Sequence, residues 1–164
     1  MISGTTNTSR NALKWGLLFG FVLGAPGQII PTFTTMVLDG LFDRIPELKV
    51  VCVEAGCGWA AYLLDRLDEK HAVFRDVMPK LEHRPSEYLR RNVWYVAEPE
   101  ERTIAAMCAL VGEDRVCWGP DFPHIDSTLA APRKIRESVA GLTAAERERV
   151  LGANAAALFG WSPP

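Results

Sequence analysis

An α/β fold built on a mostly parallel sheet is what these 164 residues predict. Three observations carry that expectation. Short β-branched and apolar runs recur at 49–54, 93–96 and 116–118. Segments with helical spacing separate them, and a carboxylate stands at or just beyond the end of two of them, Glu54 and Asp121. Strands alternating with helices need right-handed crossovers and covered faces, which sets their C-terminal ends along one rim.

Taken in order, the chain opens on an apolar stretch, Trp15 to Leu38, that contains no charged residue. Its length is nominally enough to cross a bilayer, and with Arg10 and Lys14 ahead of Leu17 to Leu23 it also has the form of a secretory signal. Pro26, Gly27 and Gln28 interrupt it, so the favoured reading is two soluble helices broken at Gly24-Ala25-Pro26-Gly27, with no membrane partner. Ile29, Phe33, Val37, Gly40 and Leu41 place one buried face on a helix over 28–43, ending near Pro46. The run from Lys49 to Glu54 suits a strand buried on both faces, stopped by Ala55-Gly56-Cys57-Gly58.

Trp59, Leu63, Leu67, Phe74 and Met78 then predict a long amphipathic helix terminated by Pro79. A helical turn around Pro85 to Arg91 leads into the strand Val93 to Val96. Pro99 is expected to start a helix that runs to Val111 and closes on Gly112. After the strand Val116 to Trp118 come helices over 132–140 and 143–151, the second opened by a Thr143 to Glu146 capping box, and a last helical turn from Asn154 to Phe159. Three strands, or four if Met1 to Gly4 ends another, cannot close an eight-stranded barrel of about 250 residues. No linker, low-complexity tract or second domain is visible, so residues 1–164 read as one domain.

Composition narrows the function classes. The chain is 48% apolar and 23% charged with a net charge of −2, so it carries neither a disorder signature nor a basic surface for nucleic acid. Cys52, Cys57, Cys108 and Cys117 form no CxxC pair, and a reducing cytoplasmic setting is expected.

Asp121 lies between Pro120 and Pro123, which stiffen the backbone where the strand gives out and make it a mount for a ligand or a base. The same residues are also ordinary turn formers. Glu54 is a second carboxylate at a strand end. His124 is a candidate substrate or ligand contact, or a plain turn histidine. Trp59 and Trp118 are candidates for pocket lining or for core. His71 and His83 sit among charged residues and are expected to be solvated. Cys57, in a Gly-bracketed loop near a helix start, is a candidate nucleophile that lacks an assigned histidine.

The blocks Glu54-Ala55-Gly56-Cys57-Gly58-Trp59, Tyr62-Leu63-Leu64, Arg66-Leu67-Asp68-Glu69, Arg84-Pro85-Ser86-Glu87-Tyr88, Trp118 to His124 and Gly152-Ala153-Asn154-Ala155-Ala156 resemble the amidohydrolase-related family. These are metal-dependent (β/α)8 TIM barrels that include aminocarboxymuconate-semialdehyde decarboxylase. The resemblance runs from about Ile30 to Trp161 and covers the C-terminal part of such a barrel, so it implies a partial (β/α)8 barrel truncated at its N-terminal side.

It further implies a divalent metal, commonly zinc, held by an HxH pair on the first strand, a histidine after the fifth and an aspartate after the eighth. Asp121 matches the aspartate. The HxH pair has no counterpart, and the fifth-strand histidine should fall near Ser3 or Gly4, where none stands. Glu54 takes the position where many members carry a histidine after the sixth strand. Catalytic zinc takes about three protein ligands, so one carboxylate alone should bind it poorly. The expected function is metal-dependent hydrolysis or non-oxidative decarboxylation of a small carboxylated or cyclic substrate, with the isolated chain incompetent. Asp121 would serve as ligand and base, Glu54 as substrate orienter or proton relay, and His124 as substrate contact. The alternative is a non-catalytic half-barrel. In either case the open strand edge invites a partner, a second copy or the missing N-terminal half.

Overall fold

Three short strands lie side by side and run in the same direction. The computed structural model describes residues 5–124 and 127–162, with residues 5–13, 17 and 21 as backbone only. The strands are β1 (Val50–Cys52), β2 (Val93–Ala97) and β3 (Val116–Trp118), in the order β1-β2-β3. Both ladders are parallel, with Val51 opposite Trp94 and Val96 opposite Cys117. Helices α1 (Thr5–Leu38) and α2 (Leu41–Arg44) precede β1. Helices α3 (Trp59–Val73) and α4 (Pro85–Asn92) connect it to β2, and α5 (Ile104–Val111) connects β2 to β3. After β3 come α6 (Ala131–Ser138) and α7 (Ala144–Glu148), then a π-type turn at Arg149–Ala153 that leads into α8 (Asn154–Phe159). The predicted α/β class and parallel sheet are present. The possible strand end at Met1 to Gly4 lies outside the described residues.

Four local expectations are corrected. The break at Gly24 to Gly27 does not form, because α1 continues through Pro26 and Pro31, and its arms Lys14–Gly20 and Val22–Leu38 meet at 41° instead. A proline crowds the carbonyl four residues back and forfeits that hydrogen bond, so Pro26 acts one turn earlier, where the bend lies. Among the described residues no single helix is long and apolar enough to cross a membrane, and the bent pair meets that test only when its arms are taken together.

The other three corrections concern ends and edges. β1 is not buried on both faces: it is an edge strand, Val50 and Val51 are half-buried, and Val53 just beyond it is 53% exposed. α3 stops at Val73 and turns through Phe74 rather than continuing to Met78, and Val73, Phe74 and Val77 are exposed there. α5 starts at Ile104, not at Pro99, because the segment between forms a separate turn around Glu101.

The core lies between the sheet and its helices. Tyr95, Leu64, Leu89, Ile104, Met107 and Val116 are fully buried, each apolar side chain contributing roughly 1.5–3 kcal/mol of transfer free energy. Phe33, Trp59 and Tyr95 form an aromatic chain with centroids 5.7 and 5.9 Å apart, which fastens the second arm of α1 through α3 to β2. Asn92 Nδ2 donates to the carbonyls of Pro46 and Leu48, locking the approach to β1. At the other side, the expected capping box is present: the Glu146 N–H donates to Thr143 Oγ1 and the Thr143 N–H to the Glu146 carboxylate.

Buried Asn154 opens α8 and donates at 2.7 Å to both Glu113 O and Val116 O, so it ties the C-terminal helix to β3. Asn154→Ala would strand those carbonyls away from water. The expected result is a loss of about 2 kcal/mol in urea unfolding at unchanged m-value.

Candidate active site

Parallel pairing delivers the ends of all three strands to one rim, and each is followed closely by an acid. Glu54 stands two residues after β1, Glu98 directly follows β2, and Asp121 stands three residues after β3. Glu54, Asp121 and His124 each offer one ligand atom, and these atoms all lie within 4.8 Å of one another. His124 Nδ1 is 3.0 Å from Asp121 Oδ1 and 3.2 Å from Oδ2, while the His124 N–H donates to the Asp121 carbonyl at 2.9 Å. A carboxylate can only accept here, so Nδ1 carries the hydrogen and Nε2 is left as the free ring atom. Asp121 is 21% exposed in its side chain and His124 53%, so the group opens to solvent.

Backbone conformation aims these carboxylates. Glu54 and Asp121 both adopt left-handed backbone, at φ 61° and 55°, the two non-glycine residues of the described chain that do so. That conformation costs a β-substituted residue on the order of 1 kcal/mol or more, and such strain gathers at functional sites. The Phe122–Pro123 peptide is cis. Together with Val22 and Pro26 of α1, the three side chains line an open cleft of ≈ 810 Å³.

Glu101 is the residue at this rim that sequence reasoning missed. Its carboxylate accepts from the backbone N–H groups of Cys57 (3.0 Å), Gly58 (2.7 Å) and Glu98 (3.2 Å) and from Thr103 Oγ1 (2.8 Å). It therefore satisfies the start of α3, whose cap residue Gly58 has no side chain to do so. Both glycines are dictated by this approach: a Cβ at Gly56 would stand 3.1 Å from the Glu101 carboxylate, and one at Gly58 would stand 2.8 Å from Thr103 Oγ1. The available signal was negative, a helix beginning on Gly-Cys-Gly with no Ser, Thr, Asp or Asn to cap it.

The remaining candidates separate cleanly. Trp59 and Trp118 pack against the core, with their indole N–H groups donating to Gly56 O and Leu151 O. His71 Nε2 lies 3.0 Å from Pro79 O, and exposed His83 stands 3.6 Å from Glu87. Cys57 is fully buried, and burial, then the Glu101 charge, push its thiol far above the usual range, so the nucleophile reading is withdrawn. Chemically, two carboxylates and an imidazole in reach of one point have the composition of a site for a divalent cation.

A family model described as amidohydrolase matches residues 12–161. A 2-amino-3-carboxymuconate-6-semialdehyde decarboxylase of Dictyostelium discoideum is 26% identical over 144 residues, covering 87% of this chain and 40% of that protein. The chain thus spans about two fifths of the length of this curated relative. Among solved structures, an amidohydrolase from Mycobacterium avium subsp. paratuberculosis superposes with a TM-score of 0.74 at 27% identity, over 95% of this chain and 40% of that one. The 5-carboxyvanillate decarboxylase of Sphingomonas paucimobilis gives 0.68 at 33% identity, over 79% and 38%. That of Novosphingobium aromaticivorans, complexed with manganese and 4-hydroxy-3-methoxy-5-nitrobenzoic acid, gives 0.65 at 26%, over 77% and 37%.

Two outcomes follow from the site's construction. Glu54→Gly should unfold at no lower denaturant concentration than the parent, and Glu54→Ala should not gain, because only glycine relieves a φ of 61°. The four free thiols are buried, Cys52 being pushed up to about 12 and Cys108 and Cys117 to about 11. A disulfide reagent at about pH 8 should modify them slowly in the native protein and completely in denaturant. Rapid native reaction at Cys57 would restore the nucleophile reading.

Proposed function

The chain belongs to the amidohydrolase family, and we propose that it forms the C-terminal part of a divalent-metal-dependent (β/α)8 enzyme. The enzyme acts on a small carboxylated or cyclic substrate by non-oxidative decarboxylation or hydrolysis. The observation that carries this reading is the meeting of Glu54, Asp121 and His124 at the strand tips. Asp121 and Glu54 would hold the cation through carboxylate oxygens, and His124 through a ring nitrogen. A bound divalent ion supplies Lewis-acid polarisation of substrate oxygen and offsets the local negative charge.

The chain's own groups do the rest. The Nδ1–H of His124 fixes the orientation of Asp121, whose second oxygen can accept a proton. Glu54 has a second oxygen that can orient a substrate or relay a proton. The decarboxylases among the similar proteins support carbon dioxide release as the first activity to test. The manganese of the Novosphingobium enzyme supports manganese as the first ion, with zinc as the second arm.

Among the described residues both outer strands, β1 and β3, keep an unpaired edge, which supports a site completed by further β/α units from an N-terminal half or a second copy. The exposed edge of β1 also favours a second reading, a non-catalytic half-barrel that associates through it; in that case light scattering would detect an assembly that takes up no metal.

Manganese titration followed by electron paramagnetic resonance tests the leading reading. Asp121→Asn should weaken binding by more than about tenfold, the lower end of what even an outer-shell partner costs. Undiminished affinity in that variant would overturn the assignment, and carbon dioxide release from carboxylated phenols by the completed barrel would separate decarboxylation from hydrolysis.

A further inference from the structure

Glu54 is the least supported member of the three-residue group. Asp121 is braced by His124, but among the described residues Glu54 makes no side-chain hydrogen bond or ion pair, and it is exposed. Its position at the rim is therefore set by the backbone of the loop that carries it, Glu54 to Gly58. That loop holds two left-handed residues, Glu54 and Gly56, and nothing in its own sequence caps the helix it leads into.

What fixes the loop comes from the neighbouring strand's turn. Both oxygens of Glu101 take the Cys57 N–H at 3.0 Å, and Oε1 also takes the Gly58 N–H at 2.7 Å. The same carboxylate accepts from the Glu98 N–H and Thr103 Oγ1, so it is anchored in its own turn while it reaches across. That turn is fastened from behind. Ser138 Oγ donates to Pro99 O at 2.7 Å, and Lys134 pairs with Glu100, both from α6. A negative charge at the start of a 15-residue helix is favoured by the exposed N–H groups and the dipole. The Trp59 indole N–H closes the loop from within by donating to Gly56 O at 3.0 Å.

We infer that Glu101 is a positioning residue: it caps α3 from the neighbouring turn and thereby holds Glu54 within reach of Asp121 and His124. The inference rests on the metal-site reading above and deepens it. Glu101 lines the same cleft, yet with both oxygens engaged by four donors it acts through the loop and not as a ligand. It also accounts for two glycines that the chemistry alone does not require, since a side chain at Gly56 or Gly58 would push the Glu101 turn away.

The test compares the parent with Glu101→Ala and Glu101→Gln, reading amide exchange at Cys57 and Gly58 and the manganese dissociation constant. In Glu101→Ala both amides should exchange at least about tenfold faster, and manganese binding should weaken by about tenfold, while amides of β2 keep their protection. Glu101→Gln, which keeps one acceptor oxygen, should fall between parent and alanine variant, and decides the matter alone if the alanine variant does not fold. Unchanged protection of Cys57 and Gly58 would overturn the inference. So would loosened amides with parental manganese affinity, since the role would then be structural only. A parent protein that takes up no manganese or zinc would instead remove the metal-site reading, and this inference with it.

Discussion

Parallel pairing of β1, β2 and β3 is the constraint from which the rest of this structure follows. Because the strands run in one direction, every loop that leaves a strand tip emerges on the same side, and every return helix must cross the sheet. The registers Cys52 to Tyr95 and Ala97 to Trp118 bring the residues just beyond each strand to one rim. Glu54, Glu98 and Asp121 stand there together although 67 positions separate the first from the last (121 − 54). An antiparallel neighbour would have sent one of these carboxylates to the opposite end. The aromatic chain from Phe33 to Tyr95 and the buried side chains of α4 and α5 hold the ladder against its helices.

Gathering acids in this way opposes stability. Carboxylates with oxygens within 4.8 Å of one another repel, by about 1 kcal/mol or more in water. Left-handed backbone at Glu54 and Asp121 adds further cost. A fold under selection for stability alone would neutralise such a rim. Here one carboxylate, Glu101, is satisfied by four donors at the start of α3, and a second, Asp121, by the His124 ring. Among the described residues Glu54 has no side-chain partner beside them. Such an arrangement, charged and open to the cleft, is one that a divalent cation relieves.

Much of the fold was legible because its signals are local. β-branched runs marked all three strands, the Thr143 to Glu146 spacing marked a capping box, and the proline-flanked Asp121 marked the candidate site. The failures share a cause. The break at Pro26, the burial of β1, the continuation of α3 past Phe74 and the start of α5 at Pro99 were each judged from neighbours in sequence. The course of α1 was decided by how a helix accommodates proline, the start of α5 by the turn around Glu101, and the burial of β1 by what lies beside it. β1 reads as a core strand and is an edge among the described residues; Phe74 keeps the spacing of α3 but is exposed.

The sequence by itself determined which segments are strands, which are helices and where two of the rim carboxylates fall in the chain, since period, propensity and turn chemistry act over a few residues. Only the tertiary structure decided that His124 bonds Asp121 within reach of Glu54, and that Glu101 reaches back 43 and 44 positions to the N–H groups of Gly58 and Cys57. Those contacts depend on strand order and register, which arise when separate segments compete to bury the same apolar faces.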